Sequence, residues 1–304
     1  CKEEEKDNFF NVILNTRDFL VSGFFFILPL NYKFIIMRKG ILILILGLFF
    51  STINAQVDST THFQLVSGYG IDYFSVPYSR TFNVYSIGLG YKGPNTSLYG
   101  IYNAGNLIEP QENGQYFNIE DQFELDFYHK LTKRINYWLN YAYSPDIHFP
   151  EHRAMARAWV NLGSGFLVSA GGKYYYFDNN LFTTTLGLEK YMGRFWLEGK
   201  GFLHIKEPDP RLSYQLNARV FWRDYNYVQL SLMTGASQDE PWRTDGLLPP
   251  TLDSHGAGLK VVTYVGKSRK LQLRLNGLYQ YEEYEEGSWR NRFAGGVSIN
   301  YTIF

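Results

Sequence analysis

The stretch LQLRLNGLYQYE, residues 271–282, alternates apolar and polar side chains. In an extended chain, leucines and tyrosines would lie on one side, and groups such as Arg274 and Glu282 on the other. Successive side chains of a β-strand point to opposite faces, so this period of two predicts a strand with one apolar face. The run exceeds the five or six residues usual in soluble strands and has the ~9–11 residues that cross a bilayer at a tilt.

The same alternation recurs along the chain from His62 onward, where no stretch keeps a helical period. Three further clear runs cover residues 135–143, 195–206 and 212–223. Several of them end in Tyr, Phe or Trp on the apolar face, as the aromatic girdles of a membrane barrel require. The repetition predicts many similar membrane-crossing strands.

Short and longer connections alternate between these predicted strands. The short ones are predicted near Lys92–Asn95, Thr132–Arg134, Gly163–Gly165, Met192–Arg194, Asp224–Asn226 and Gly266–Arg269. The longer ones are predicted near Ser75–Ser79, Gly105–Gly114, Ser144–Glu151, Asp178–Asn180, Glu207–Pro210, Ser237–Asp253 and Glu283–Ser288. Short periplasmic turns and longer outer loops are typical of bacterial outer-membrane barrels, and a sheet in lipid must close. We therefore expect an all-β fold, a closed antiparallel transmembrane β-barrel of about 14 strands within a range of 12 to 16.

The composition excludes several other classes of protein. The 29 basic and 29 acidic residues leave no net charge, so there is no basic excess to bind nucleic acid. The hydrophobic content of 45% is too high for a disordered chain, and a single cysteine excludes a disulfide scaffold or a multi-cysteine metal site. A mean hydropathy of −0.25 argues against a bundle of membrane helices. We expect no cofactor and no metal.

The region before the first strand has the features of a secretory signal. Basic residues after Met37 precede the apolar run Ile41–Phe50, and a small-residue cleavage site lies between Ala55 and Gln56. This predicts an upstream segment at 1–36 outside the native protein, a signal peptide at 37–55 and a barrel at 56–304. In the alternative interpretation, Cys1 is the acylated first residue of a lipoprotein. The predicted location is the outer membrane, after Sec-type secretion.

The chain contains several short, aromatic-rich pieces: YAYS (141–144), FPEHR (149–153), SAGGKY (169–174), KYMGRFW (190–196) and GSWRNRF (287–293). In this order, they resemble the YaiO family of outer-membrane β-barrels. The resemblance implies a barrel fold and an outer-membrane location, with lipid and the barrel-assembly machinery as partners. It implies no established reaction or ligand.

Charged residues on the polar faces should point into the lumen, because lipid-facing charges are costly. The candidate lumen-facing charges are Arg157, Glu198, Lys200, Arg219, Arg223, Arg274 and Glu282. Two interpretations remain open. The charges could line a polar channel for a small polar solute or glycan, or they could form a paired network that fills the lumen of a structural or surface-binding barrel.

The longer connections carry a second set of candidates. The outer-loop residues are His148, His152, Arg153 and Trp242. Pro150 lies between the two histidines in a predicted loop, so an exposed cluster is expected there instead of a helical zinc motif. We expect no enzyme activity. The alternative is a lipid- or peptide-processing barrel enzyme, with candidate rim residues Asp146, His148, His152, Ser237, Asp239 and His255.

Overall fold

The computed structural model is a closed antiparallel β-barrel of 14 strands, which confirms the predicted fold. It describes residues 61–75, 79–111, 114–177, 180–205, 210–223, 225–236, 253–266 and 268–303. The proposed upstream segment, the signal peptide with its Ala55–Gln56 site, and Trp242 lie outside these residues and stay predictions. Within the described parts of the chain, no helix is long and apolar enough to cross a bilayer.

The strands follow one another around the barrel in chain order. They are β1 (His62–Phe74), β2 (Arg80–Lys92), β3 (Thr96–Gln111), β4 (Gly114–Lys130), β5 (Ile135–Tyr143), β6 (His152–Gly163), β7 (Phe166–Tyr176), β8 (Asn180–Met192), β9 (Phe195–Ile205), β10 (Arg211–Trp222), β11 (Asn226–Gly235), β12 (Asp253–Val265), β13 (Leu271–Glu285) and β14 (Ser288–Thr302).

The barrel closes where β1 pairs with β14, from Gln64↔Thr302 to Phe74↔Arg292. The start of β1 and the end of β14 therefore lie at the same end as the turns β2–β3, β4–β5, β6–β7, β8–β9, β10–β11 and β12–β13. We call this the short-turn end and the opposite one the loop end. By the usual pattern of outer-membrane barrels, the short-turn end faces the periplasm.

Exposure alternates along each strand with a period of two. On β10, Leu216 is 54% exposed, whereas Arg219 is 1% exposed. Apolar side chains thus form the outer surface, and polar ones point inward, as a barrel in lipid requires. Val262, Trp159 and Trp196 are among the apolar side chains that point inward and are buried.

Two predicted loops are shorter than expected. Residues 105–114 were expected to connect two strands, but the β3–β4 ladder continues to Gln111↔Gly114. At ~3.3 Å per residue, the 17 residues of β4 span about 55 Å, so this hairpin extends well beyond a hydrophobic band about 25 Å tall. Similarly, β13 and β14 stay paired to Glu285↔Ser288 across a bulge. Strand residues that lie outside the membrane are polar, as loop residues are. The sequence therefore did not distinguish these strand ends from connections.

Candidate functional site

Glu198 on β9 is the centre of a buried charge network inside the barrel. Its Oε1 accepts a 2.6 Å hydrogen bond from Arg157, and its Oε2 accepts one of 2.7 Å from Asn217. The Lys200 ammonium group lies 2.9 Å from the same Oε2. Three of the predicted lumen-facing charges thus meet at one point. The network links β6, β9 and β10, so it braces the wall from the inside.

Glu189 on β8 extends this network into a group of aromatic rings. Its carboxylate accepts hydrogen bonds from Trp159 (2.8 Å), Trp196 (3.1 Å) and Arg157 (3.3 Å). Trp159 also packs with the fully buried Leu167 near the short-turn end. Each indole N–H therefore has a partner, which a buried tryptophan requires.

Arg219 on β10 lies between two aromatic rings. Its guanidinium carbon is 4.2 Å from the Trp196 ring centre and 4.1 Å from that of Tyr227. Its Nε donates a 3.0 Å hydrogen bond to Gln229. A guanidinium held between ring faces gains cation–π stabilisation.

A second charge network crosses the seam where the barrel closes. Arg292 on β14 donates hydrogen bonds of 2.9 and 3.1 Å to the two oxygens of Asp72 on β1. Arg290 donates to Glu282 on β13 at 3.0 Å, and Arg292 lies 3.5 Å from the same carboxylate. Phe74 packs beneath both guanidinium groups, 4.7 and 5.2 Å away. Glu282, which was predicted to point inward, is thus part of the charge network at this closure.

Arg274 and Arg223 have different environments. Arg274 is buried on β13 and donates to Gln272 at 2.7 Å, in keeping with an inward position. Arg223 is exposed and lies in the β10–β11 turn with a φ of 57°. β10 ends at Trp222, before this turn, so the prediction that Arg223 lines the lumen wall is wrong.

The β5–β6 connection folds into the barrel, so the expectation of an exposed His148 is also wrong. His148 is 1% exposed, and its backbone N–H donates a 2.8 Å hydrogen bond to Glu120 on β4. Its ring Nδ1 contacts the other oxygen of the same carboxylate. A buried carboxylate needs such partners, and sequence alone did not indicate that Glu120 and His148 would meet.

Phe149 anchors the connection with apolar contacts. It is buried in a cluster with Phe82, Val84 and Leu107, and its ring meets Phe82 edge-on at 5.5 Å. A side chain at Gly105 would clash with both rings at 2.6–2.7 Å. Glycine at that position therefore makes room for the inward loop.

His152 and Arg153, expected in the same loop, begin β6 instead and point to opposite faces. Arg153 is buried, and its Nη2 lies 3.2 Å from Glu124. His152 lies on the outer surface beside Tyr141, Tyr143 and Tyr176, and its Nδ1 is 2.9 Å from the Tyr141 hydroxyl. His148, His152 and Arg153, which were predicted as residues of one outer loop, thus lie in three different environments.

Three other histidines contact hydroxyl groups of a neighbouring strand. His129 contacts Thr96 at 2.9 Å, and His255 contacts Thr234 at 2.8 Å. His204 lies 2.8 Å from Ser213 Oγ, a serine–histidine contact that sequence reasoning missed, but Ser213 is fully buried. Across the described ranges, no group of three or more His, Cys, Asp or Glu side chains is placed to hold a metal ion.

The family model of the YaiO membrane beta barrel domain matches residues 62–240, more than half of the chain. The chain belongs to this family. It is therefore an outer-membrane β-barrel, as the resemblance predicted. No curated protein sequence matches the chain.

Three solved structures are similar to this YaiO-family barrel. OpdL of Pseudomonas aeruginosa is 9% identical, with a TM-score of 0.40, over 81% of this chain and 99% of that one. A bacterial polysaccharide outer membrane secretin is 10% identical, with a TM-score of 0.49, over 82% and 100%. OprD of Pseudomonas aeruginosa is 8% identical, with a TM-score of 0.42, over 80% and 94%.

Proposed function

We propose that this outer-membrane barrel carries a narrow passage for a small polar solute or glycan along one side of its lumen, next to β10–β14. The proposal is supported mainly by a difference in packing between the middle of β10–β13 and the inward face of β4. On β10–β13 the inward side chains of Gln215, Ser231, Lys260 and Asn276 are partly exposed. On β4 the inward side chains from Glu120 to Tyr128 are all buried.

Small residues leave the space on the exposed side. Gly258 on β12 and Gly296 on β14 occupy inward positions, at the same alternation as Lys260 and Ser298. A Cβ added at Gly258 would find only ordinary contacts, the nearest at 3.5 Å. Amide, hydroxyl and ammonium groups around this space could exchange hydrogen bonds with a hydrated solute.

A closed, structural barrel is the second candidate. It is favoured by the fully buried Arg219, which occupies space inside the barrel between Trp196 and Tyr227. A barrel enzyme receives less support, because the serine–histidine contact of Ser213 and His204 is not accessible to a substrate.

The test is single-channel conductance of the folded protein in planar lipid bilayers. We expect small, stepwise, salt-dependent conductance. Gly258→Trp should reduce it strongly, because the indole would enter the proposed passage. Gly277→Trp is the matched control, since Gly277 lies on the outer face of β13 and has no atom within 4 Å of an added Cβ.

Two results would contradict a passage. One is a correctly folded barrel without conductance, which would favour the closed structural barrel. The other is equal conductance in the Gly258→Trp and Gly277→Trp variants, which would place any ion path elsewhere in the lumen. Circular dichroism of both variants establishes that each has folded.

A further inference from the structure

A pocket of about 510 Å³ lies at the short-turn end, between the β10–β11 and β12–β13 turns. Its lining residues are Arg223, Tyr225, Asn226, Tyr264, Gly266 and Arg269. Tyr264 shares the inward face of β12 with Val262, so the pocket adjoins the mouth of the lumen. The lining residues that the structure describes include two arginines and no acidic side chain, and Asp224 and Lys267 lie outside the described residues.

The backbone at both arginines is unusual. Three non-glycine residues of the described chain have a positive φ: Ser164 (51°), Arg223 (57°) and Arg269 (54°). Glycine and asparagine adopt this left-handed conformation most easily, because a larger side chain crowds the following carbonyl. Two of the three are thus arginines, and both line the same pocket. Strained backbone of this kind often accompanies a functional group.

The other lining residues hold the two turns in place. Arg269 lies 5.9 Å from the Tyr225 ring centre, and Tyr225 meets Tyr264 edge-on at 6.1 Å. Asn226 accepts a 2.8 Å hydrogen bond from the Tyr264 backbone N–H, and its own N–H donates to the Arg223 carbonyl at 2.9 Å. The arginines therefore project from turns that are tied to the barrel wall.

We propose that this pocket binds an oxyanion, a carboxylate or phosphate group carried by a small solute at the lumen mouth. A guanidinium group presents a planar fork of N–H donors that matches the oxygens of either anion. The pocket volume lies within the roughly 300–1,000 Å³ of small-ligand sites. The site goes beyond the proposed passage, because it would bind its ligand whether or not the lumen conducts.

The test is calorimetric titration of the folded full-length barrel in detergent with inorganic phosphate and, separately, with glucuronate. We expect millimolar binding of at least one probe at concentrations up to about 10 mM. Arg223→Gly and Arg269→Gly should each weaken it about tenfold, because each removes a charge-assisted contact. Both should keep or raise the thermal midpoint, because glycine fits the left-handed backbone.

Ser164→Gly is the matched control. It changes the third left-handed residue, in another turn at the same end, and should leave binding unchanged. Arg223→Lys and Arg269→Lys each keep the charge without the planar guanidinium group and should bind with intermediate strength. Binding of phosphate alone would indicate a phosphate ligand, and binding of glucuronate alone a carboxylate. Failure of both probes to bind, or unchanged binding in the two arginine variants, would overturn the proposal.

Discussion

At the scale of single residues, the barrel interior depends on a few carboxylates that each satisfy several cations and amides. Glu198 has Arg157, Lys200 and Asn217 as partners, and Glu189 has Arg157 and two tryptophans. Pairing of this kind is needed because an unpaired buried charge costs several kcal/mol. A barrel that buries these charged side chains in its lumen therefore needs such a network.

Replacing Glu198 should destabilise the barrel severely. In Glu198→Gln, Arg157 loses its acidic contact at 2.6 Å and Lys200 loses its acidic contact at 2.9 Å. We expect a loss of about 3 kcal/mol in the free energy of unfolding, the lower end of the range for broken buried pairs. Guanidinium unfolding in detergent measures it.

The control for this prediction is Glu286→Gln in the exposed β13–β14 turn. An exposed substitution of this kind should change the free energy of unfolding by less than about 0.5 kcal/mol. Equal stabilities of the two variants would mean that Glu198 does not brace the wall.

At the scale of structural elements, the inward β5–β6 connection narrows the lumen at the loop end. It is held by two different contacts, the buried His148–Glu120 pair and the apolar cluster around Phe149. Loops usually lie on the surface, where water satisfies their backbone groups. Here the Glu120 carboxylate of β4 accepts from the backbone N–H of His148, and the Ser144 hydroxyl accepts from that of Asp146.

Phe149→Ala should release this connection. Loss of a buried phenyl ring costs about 3–5 kcal/mol where the surroundings cannot collapse. We expect amide hydrogen exchange across residues 144–151 to become much faster, while the strands stay protected. Ile147→Ala removes a neighbouring side chain that is 54% exposed and should leave the exchange unchanged. Slow exchange in both variants would mean that Phe149 does not anchor the loop.

The strands and the faces of their side chains were predictable from the sequence. The positions of the side chains in the connections were not. A period of two assigns every second side chain to the lumen, so Arg157, Glu198 and Arg219 could be placed inward without any coordinates. Whether a connection turns inward depends on partners far away in the chain, as Glu120 is for His148. Likewise, the sequence did not indicate that Arg223 lies in a turn, where its φ is 57°.

At the scale of the whole molecule, the outer surface is a continuous apolar band, and its integrity should determine assembly. Leu216→Arg places a charge on the outer face of β10, where Arg near the bilayer midplane costs about 2–4 kcal/mol. We expect little folded protein in the outer membrane, measured by the heat-dependent gel shift of folded barrels. Gln215→Arg, one residue away, points inward and should assemble.

A normal gel shift for Leu216→Arg would contradict the assignment of inner and outer faces. Loss of assembly in Gln215→Arg as well would show only that β10 tolerates no added arginine. The pair therefore separates the cost of exposing charge to lipid from the cost of a larger side chain.

The Asp72–Arg292 link has a consequence for the order of events in folding. Its two residues are 220 positions apart, so a chain growing from its amino end can form it only after almost all of the barrel has been made. Contacts of such long separation form slowly. Until then β1 and β14 are two open edges with unpaired backbone groups, a template for aggregation. The period before closure is therefore when the chain most needs a chaperone, and that is where we expect the barrel-assembly machinery to act.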